Sequence, residues 1–525
     1  MQNKRRIISI IVFVLTACIL ACIVFFSGCD DDDDYVSEPA PAAQESQDSS
    51  VRDDAAADSS ADKEIPYEDL SDIERMVVDA QREYLEDEAV KEALASEITV
   101  QSEPIVTNDD SQEFEVYTLN HNGTAMKFLM ETIGQPDHKG KYPLYITLHG
   151  GGSSTPEENN REWRAMFSYY KSAVHNGIYI AVRAVTDTWD LHFQPESYPL
   201  YDRLIEAMVM NYNADPDRVY LLGFSAGGDG VYQIAPRMAD RFAAVNMSSG
   251  HPNGVRLLNT ANLPFSIQAG IRDFYDEDAM RSLRAAEFEE TFENYNDTYG
   301  FGYEHRVYIH VPDGHNYDDY GEESSLVLKD PKDFARRCVP EGMMERFLNI
   351  SRWRAFTFDV MSMSYFSTGL IKGYDKAITK AVQEEFGLET EEVNADAVAY
   401  VNQFRRDPFP AELVWDLSTR AREREVNSFY WLAADPEVNE GVIHAWFDTD
   451  TNTYMISIDE ELNGDFTILL DPRLVDFTRP VNFMCDKGDF TRVFTPSKEV
   501  IDASIRESGD PQLLYAASIR YSELN

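Results

Sequence analysis

Cysteine is scarce in this chain. Five cysteines occur in 525 residues, and three of them, Cys18, Cys22 and Cys29, lie close to the N-terminus. Only Cys338 and Cys485 follow, and neither belongs to a Cys-x-x-Cys pair or a Cys/His cluster. The sequence therefore predicts no metal site and no disulfide-rich scaffold. It leaves open whether these two thiols form one disulfide or remain unconnected.

Positive charge is also in short supply. The chain has 46 Lys and Arg residues against 93 Asp and Glu residues, which gives a net charge of −47. An acidic surface repels nucleic acid and anionic lipid, so we expect no nucleic-acid partner. The simplest interpretation is a soluble protein adapted to high salt or crowding, and a dedicated cationic partner is the less favoured alternative.

Long apolar runs are confined to the N-terminus. Three basic residues, Lys4 to Arg6, precede an apolar run from Ile7 to Phe26 and then Ser27-Gly28-Cys29, an order typical of a signal peptide. A small residue before a cysteine resembles a bacterial lipoprotein signal, with Cys29 as the expected lipidation site. Cys18 fits the residue pattern better, but cleavage there leaves a second apolar run. The run is long enough to span a bilayer, so an uncleaved anchor over 1–28 stays open. Both alternatives place the body outside the cytoplasm, either tethered to the membrane or secreted.

Composition predicts two further segments before the main body. Residues 29–64 are acidic, rich in Ala and Ser and nearly free of large apolar residues, so they predict a disordered linker. Residues 65–111 are interpreted as a helical extension because their apolar residues recur at helical spacing, as in Leu70, Ile73, Met76 and Val77.

The remaining chain predicts an α/β domain followed by a β-rich one. From 112 to 405 apolar strands alternate with helical patterns, which indicates a mostly parallel sheet with helices on both faces. A helical insertion is expected at about 321–400. Short strand patterns then recur from 406 to 525, and they predict a small C-terminal all-β, sandwich-like domain.

The stretch "VYLLGFSAGGDG" is the strongest functional signal. An apolar strand runs into Gly223-Phe224-Ser225-Ala226-Gly227, and a helical pattern follows. A Gly-x-Ser-x-Gly motif arises often by chance, but between a strand and a helix it predicts the sharp turn that presents a nucleophilic serine. We therefore expect Ser225 to be the nucleophile of an α/β-hydrolase fold.

A serine nucleophile needs a base and an acid that orients the base. Asp273 follows the strand "PFSIQAG", and His315 follows the strand "VYIHV", in the chain order Ser, acid, His that this fold requires. Asp276 and Asp278 are nearby competitors for the acid. His310 competes with His315, but it lies inside an apolar strand, where a core histidine is the ordinary interpretation.

An oxyanion hole is expected from "YITLHGGGSS". Glycines allow backbone N–H groups to converge on a developing negative charge. We expect one donor from Ala226 and the other from Gly151 or Gly152. Trp189 and His192, in "DTWDLHF", follow a strand end and are weaker candidates for the substrate pocket, because packing within a loop explains them equally well.

These stretches resemble a known group of enzymes. From "YPLYITLHGGG" to "PDGH", and most closely in "DPDRVYLLGFSAGGDGVYQIAPRMADRFAAV", the chain resembles α/β-hydrolases of the polyhydroxybutyrate depolymerase and feruloyl-esterase-like group. That group is similar to the catalytic domains of prolyl-oligopeptidase-type peptidases. The resemblance implies a triad of Ser225, Asp273 and His315. The chain departs from the group between His315 and Phe404, so the resemblance does not define the substrate pocket.

The leading hypothesis is an extracytoplasmic serine hydrolase that cleaves carboxylic esters, of small molecules or polymers, through an acyl-enzyme. No cofactor is required. A serine peptidase with the same triad is the runner-up, disfavoured because no β-propeller precedes the hydrolase segment. A non-catalytic envelope protein on a hydrolase fold is the third alternative. The C-terminal region is expected either to bind a polysaccharide or an envelope protein, or only to brace the catalytic domain.

Overall fold

The computed structural model describes residues 66–273, 280–315, 324–338, 376 and 379–525. The predicted leader, the linker and the competing acids Asp276 and Asp278 lie outside these ranges, as does most of the predicted insertion. Within the described ranges, no helix combines the length and apolar character needed to cross a bilayer.

The helices and strands alternate through the first two thirds of the described chain and give way to strands near its end. The helices are α1 (Asp72–Leu85), α2 (Glu88–Glu97), α3 (Pro156–Tyr169), α4 (Ser197–Tyr212), α5 (Ala226–Ile234), α6 (Arg281–Tyr299), α7 (Pro331–Cys338), α8 (Ala397–Val401) and α9 (Lys498–Ser508). Single turns of 3-10 helix occupy Tyr67–Asp69, Lys171–Ala173, Ala235–Arg237, Ala239–Arg241, Leu258–Thr260, Leu417–Thr419 and Tyr521–Glu523, and a π-helical turn occupies Ala381–Glu385.

The strands form one large sheet and two smaller ones. The large sheet contains β1 (Ile98–Val106), β2 (Ser111–His121), β3 (Thr124–Ile133), β4 (Tyr142–Leu148), β5 (Gly177–Arg183), β6 (Ala214–Phe224), β7 (Ala244–Ser248), β8 (Phe265–Gly270), β9 (His305–His310), β10 (Ser325–Leu328) and β11 (Thr390–Val393). The C-terminal strands are β12 (Glu412–Asp416), β13 (Ser428–Phe429), β14 (Leu432–Ala434), β15 (Val442–Asp448), β16 (Thr453–Glu460), β17 (Phe466–Leu470), β18 (Val481–Cys485), β19 (Gly488–Arg492) and β20 (Ala517–Arg520).

The order of the large sheet is β1-β2-β3-β5-β4-β6-β7-β8-β9-β10-β11 among the described strands. Strands β5, β4, β6, β7, β8 and β9 run parallel, and the strands at both edges pair antiparallel. Parallel strands end at the same edge of a sheet, so the loops after β4, β6, β8 and β9 meet there. With the Gly-x-Ser-x-Gly turn after central strand β6, this is the α/β-hydrolase fold that the sequence predicts.

The core lies on both faces of the parallel strands. Leu144 and Ile146 of β4 pack into the cluster that contains α4 and α5, whereas Tyr145 packs with α3 and α8 on the other face. This alternation follows from the two-residue period of a strand. Because both faces are covered, these strands are nearly continuous runs of apolar residues.

The N-terminal extension is only partly helical. Ser71 and Glu74 form a reciprocal capping box that begins α1, as the helical pattern predicts. The prediction of helix as far as 111 was wrong, because β1 follows α2 and pairs with β2 along its whole length. Polar residues and Pro104 interrupt the apolar pattern of β1, which is tolerated at the edge of a sheet.

The described parts of the predicted insertion also contain strands. β10 and β11 pair with each other and continue the large sheet beyond β9, while α7 and α8 are helical. Both strands have four residues, and a run this short gives too few alternating positions to be recognised in a sequence.

The C-terminal strands form two sheets, ordered β12-β15-β16-β18-β19 and β13-β14-β17-β20. This confirms the predicted β-rich region, to which the structure adds helix α9. Trp431, beside β14, packs against Tyr454 of β16 with ring centroids 5.1 Å apart, so the two sheets share a core. Cys485, at the end of β18, has a free thiol; the side chain of Cys338 lies outside the described part of the chain.

Buried ion pairs connect the C-terminal region to the α/β region within one compact unit, residues 66–525. The guanidinium of Arg406 lies 2.7 Å from Asp510 and 2.9 Å from Asp217, and it also donates to the carbonyl of Asp240 at 2.7 Å. Burial alone would raise the pKa of Asp510, but Arg406 and Arg241 hold it below its ordinary value. Neighbouring buried pairs are Arg424 with Asp202 and Asp240, and Arg241 with Asp202 and Asp510. The boundary proposed at 405/406 stays a prediction.

Candidate active site

Ser225 occupies a strained turn between β6 and α5. Its backbone has φ 58° and ψ −122°, outside the regions that side chains favour. The turn is held because the Ser225 N–H donates to the carbonyl of Ser248 at 2.9 Å, while its own carbonyl accepts from the Asp229 N–H at 3.0 Å. Strain of this kind persists only where surrounding contacts enforce it. The side chain of Ser225 therefore stands at the carboxyl edge of the sheet and remains partly exposed.

The two glycines of the motif are required by close backbone approach. A Cβ at Gly223 would lie 2.2 Å from the carbonyl oxygen of Gly227, and a Cβ at Gly227 would lie 2.0 Å from that of Leu148. Both distances are far below van der Waals contact, so any larger residue would push α5 away from the strands beneath it. The Gly-x-Ser-x-Gly pattern is thus explained by packing.

The structure brings Ser225, His315 and Asp273 together. His315 Nε2 lies 2.9 Å from Ser225 Oγ, and His315 Nδ1 lies 3.0 Å from both carboxylate oxygens of Asp273. The Asp273 side chain is fully buried, whereas that of His315 is 21% exposed. An imidazole bound to a carboxylate at Nδ1 presents a basic Nε2 to the serine. These contacts are the geometry of a nucleophile, a base and an orienting acid.

Neighbouring loops fix Asp273 and His315. A Cβ at Gly270 would lie 2.0 Å from the carbonyl oxygen of Gly314, so the loop that carries His315 lies directly on the end of β8. Ser249 donates from Oγ to the carbonyl of His315 at 2.8 Å. The Asp273 N–H donates to the carbonyl of Gly270 at 2.8 Å. Both side chains are therefore held by their backbones as well as by each other.

The rival histidine is a core residue. His310 is 2% exposed in β9, and its Nε2 lies 2.8 Å from Gln268 Oε1. Burial lowers the pKa of His310 to about 3, so its ring is neutral at physiological pH.

The His-Gly-Gly-Gly loop lies against Ser225. A Cβ at Gly150 would be 3.1 Å from the Cβ of Ser225, and one at Gly152 would be 3.6 Å from that of Ala226. The Gly152 N–H already donates to Asn159 Oδ1 at 3.0 Å. Among the described residues, the N–H groups of Gly151 and Ala226 have no acceptor. Of the two glycines that the sequence left open, Gly151 therefore has the N–H that remains available.

Two buried histidine side chains, one of them from the loop itself, hold the backbone of this loop. His149 Nε2 accepts from the Ala184 N–H at 3.2 Å, so its proton is on Nδ1, which donates to the carbonyl of Gly150 at 2.6 Å. His192 Nε2 donates to the carbonyl of His149 at 2.9 Å. Burial lowers the pKa of His192 to about 3 and lowers that of His149 well below its ordinary value.

The two weaker pocket candidates have different positions. His192 is fully buried beneath the loop, so the prediction that it lines a substrate pocket was wrong: its ring is enclosed by packing and braces His149. Trp189 is 55% exposed, and its carbonyl lies 3.4 Å from where a side chain at Gly152 would begin. Its ring packs edge-on against Phe193, with centroids 5.4 Å apart.

Sequence reasoning missed the residues that hold the site. No recognisable motif contains Asn159, Ser249 or Asp229. The carboxylate of Asp229 holds the loop after β7 by accepting from the His251 N–H at 2.6 Å. Burial raises the pKa of Asp229. The available signal was position: Asn159 lies in the first turn of α3, the helix that follows the glycine loop, Ser249 directly follows β7, and Asp229 lies one turn beyond Ser225.

Comparison with known proteins gives partial matches. No protein-family model matches the chain. The bifunctional acetylxylan esterase/xylanase XynS20E of Neocallimastix patriciarum is 30% identical over 112 residues, which cover 21% of this chain and only 16% of that protein.

Several solved esterase structures also align with part of the chain. A ferulic acid esterase covers 42% of this chain and 91% of its own at 17% identity, with a TM-score of 0.27. Est1E from Butyrivibrio proteoclasticus covers 39% and 91% at 15% identity, with a TM-score of 0.25. The carboxylesterase Cest-2923 from Lactobacillus plantarum covers 42% and 85% at 13% identity, with a TM-score of 0.30. Likenesses this low do not establish a shared activity, and the depolymerase and prolyl-oligopeptidase relationships stay predictions.

Proposed function

We propose that this protein is a serine hydrolase that cleaves carboxylic esters through an acyl-enzyme on Ser225. The observation that carries the proposal is the continuous contact from Ser225 Oγ through His315 to the buried Asp273 carboxylate, on a strained turn at the edge of the sheet. The acetylxylan esterase activity in the name of the partial relative supports an ester as substrate.

The contacts of the site support the following sequence of steps. His315 Nε2 takes the proton as Ser225 Oγ attacks the ester carbonyl carbon, and the carbonyl oxygen becomes an oxyanion that the N–H groups of Ala226 and Gly151 stabilise. The intermediate collapses, the C–O bond to the alcohol breaks, and the alcohol leaves with the proton from His315. Water then repeats the sequence: it loses a proton to His315, attacks the acyl carbon and releases Ser225 with the carboxylic acid.

Trp189 is proposed to line the entrance to this site. It is an exposed aromatic residue beside the glycine loop, and an indole offers an apolar face to an acyl or sugar group. An extracytoplasmic location is also proposed, on the basis of the N-terminal sequence. Fatty-acid incorporation that is lost in Cys29→Ala and kept in Cys18→Ala would support it, and the reverse result would contradict the choice of cysteine. A C-terminal binding partner stays a prediction.

The proposal is tested by turnover of p-nitrophenyl esters with short acyl chains and of aminoacyl p-nitroanilides. We expect ester turnover by the wild type, little or no amide turnover, and loss of ester turnover in Ser225→Ala. Ser266→Ala is the matched control, because this buried serine lies on β8 with no hydrogen-bond partner for its hydroxyl among the described residues. Amide turnover that exceeds ester turnover would favour the serine peptidase. A folded wild type that cleaves neither would favour the non-catalytic alternative.

A further inference from the structure

The two peptide groups on either side of Gly151 are each held by a buried side chain. In the first, the Gly150 carbonyl accepts from His149 Nδ1 at 2.6 Å. In the second, the Gly152 N–H donates to Asn159 Oδ1 at 3.0 Å. The N–H of Gly151 points opposite to the Gly150 carbonyl within a planar peptide. The His149 contact therefore sets the direction of the Gly151 N–H, and the Asn159 contact fixes the next peptide, which is joined to it through the Gly151 Cα.

The amide of Asn159 has one orientation that satisfies its surroundings. Asn159 is fully buried, and its Nδ2 donates to Asp187 Oδ1 at 2.7 Å. Asp187 also accepts from the guanidinium of Arg183 at the end of β5. A flipped amide would set its NH₂ group against the Gly152 N–H and its oxygen against the Asp187 carboxylate, and both contacts would be repulsive. Asp187 thus determines that an acceptor faces the loop.

The loop and Asn159 are also packed too closely for either to move alone. Gly151 has φ +103°, and a Cβ there would lie 2.2 Å from Asn159 Oδ1. Only glycine fits this backbone conformation in this space. Removing the Asn159 side chain would leave a buried void beside a glycine-rich segment and would free the Gly151–Gly152 peptide to rotate.

We infer that Asn159 is a positioning residue for ester cleavage: by holding the Gly152 N–H away from the reacting carbonyl, it keeps the Gly151 N–H available as the second oxyanion donor beside Ala226. Asp187 acts through Asn159 by setting its orientation. The inference rests on the proposed function, because the oxyanion exists only if Ser225 attacks a carbonyl.

The first test is Asn159→Ala, compared with Asn259→Ala in the full-length protein. Asn259 is the matched control because it is also a buried asparagine, 1% exposed, whose Oδ1 accepts a backbone N–H. The donor is the N–H of Asp416, at 2.5 Å. Asn259 therefore belongs to the packing between the α/β region and β12, not to the site. Losing one oxyanion donor lowers kcat by about 10²–10³-fold, so we expect a fall of about 10–100-fold in Asn159→Ala with KM changed less than about threefold. Asn259→Ala should lower the melting temperature and leave kcat per folded molecule unchanged.

The second test exchanges the amide and the carboxylate between positions 159 and 187. Asn159→Asp places two carboxylates in contact and should lower kcat as Asn159→Ala does. Asn159→Asp with Asp187→Asn restores the contact, since the amide at 187 donates to the carboxylate at 159 while that carboxylate still accepts from the Gly152 N–H. We expect the double variant to recover kcat at least about tenfold over Asn159→Asp, because the coupling between contacting residues is then restored.

The outcomes separate the two claims. A folded wild type without ester turnover overturns the proposed function, and this inference with it. An active wild type for which Asn159→Ala behaves like Asn259→Ala overturns the inference alone. A double variant no better than Asn159→Asp overturns the role given to Asp187. Loss of kcat in Asn159→Ala with recovery in the double variant supports the inference in full.

Discussion

Replacing Arg406 by methionine should strongly destabilise the protein, because this residue links the C-terminal region to the α/β region. Its guanidinium has 1% side-chain exposure, and the partner Asp510 has 2%. Methionine has a similar length and fills part of the space, but it leaves the Asp510 carboxylate, the Asp217 carboxylate and the Asp240 carbonyl without this donor. Removing one partner of a buried ion pair costs about 3–5 kcal/mol, since the remaining charge stays buried.

The assay is chemical denaturation of the wild type and of two variants. Arg336→Met is the matched control: Arg336 pairs with Glu290 at 3.1 Å, but both side chains are half exposed. A surface pair of this kind contributes up to about 1 kcal/mol. We therefore expect Arg406→Met to lower the free energy of unfolding by several times the effect of Arg336→Met.

The difference in the free energy of unfolding between the wild type and Arg406→Met should change with pH in a defined direction. In the wild type the pKa of Asp510 is held below its ordinary value, so its contribution to stability is present at neutral pH and is lost as the pH falls through the folded-state pKa. Without Arg406, Asp510 keeps Arg241 as its ion-pair partner but loses Arg406, while burial still opposes its charged form. Its pKa therefore rises relative to the wild type, and the variant loses less stability than the wild type as the pH falls. The difference between the two proteins should shrink from about pH 7 to about pH 4. A difference no larger than that of Arg336→Met, or one that widens in acid, would refute this reasoning.

Two further predictions concern the site. Asp273→Asn should lower kcat by about 10⁴-fold, because its amide would donate to His315 Nδ1 and leave the ring proton on Nε2. Steady-state kinetics measure this effect. A loss of less than about tenfold would contradict the role of Asp273. His192 has a pKa of about 3 when folded, below its unfolded value, so stability is lost as the pH falls below about 6.5. His192→Gln keeps a donor for the His149 carbonyl, so the free energy of unfolding of this variant should fall less steeply than that of the wild type from about pH 6.5 to about pH 4. Denaturation at a series of pH values measures this, and an equally steep fall in both proteins would contradict it.

The parts of the site that were predictable from sequence are those whose chemistry is local. Ser225 lies in a turn whose glycines are separated from it by a single residue, and His315 lies in a loop directly after an apolar strand. The large sheet was also predictable, because strands that are buried on both faces have nearly continuous apolar sequences. Each of these signals lies within about a dozen residues.

The parts that were missed depend on distant contacts. Asn159 reaches Asp187 across 28 positions, and Arg406 reaches Asp510 across 104; nothing in either neighbourhood indicates the partner. His192 was a weaker pocket candidate because it follows a strand end, whereas its burial is decided by the packing of the whole loop. Edge strand β1 and the short strands β10 and β11 escaped because their apolar pattern is broken or brief.

The central claim, that Ser225 is an activated nucleophile, is tested most directly by covalent trapping. A fluorophosphonate probe is added to the folded wild type, Ser225→Ala and Ser266→Ala, and the modified peptide is identified by mass spectrometry. We predict one adduct, on the peptide that contains Ser225, in the wild type and in Ser266→Ala, and none in Ser225→Ala. A folded wild type that takes no probe, or an adduct that persists in Ser225→Ala, would contradict the account.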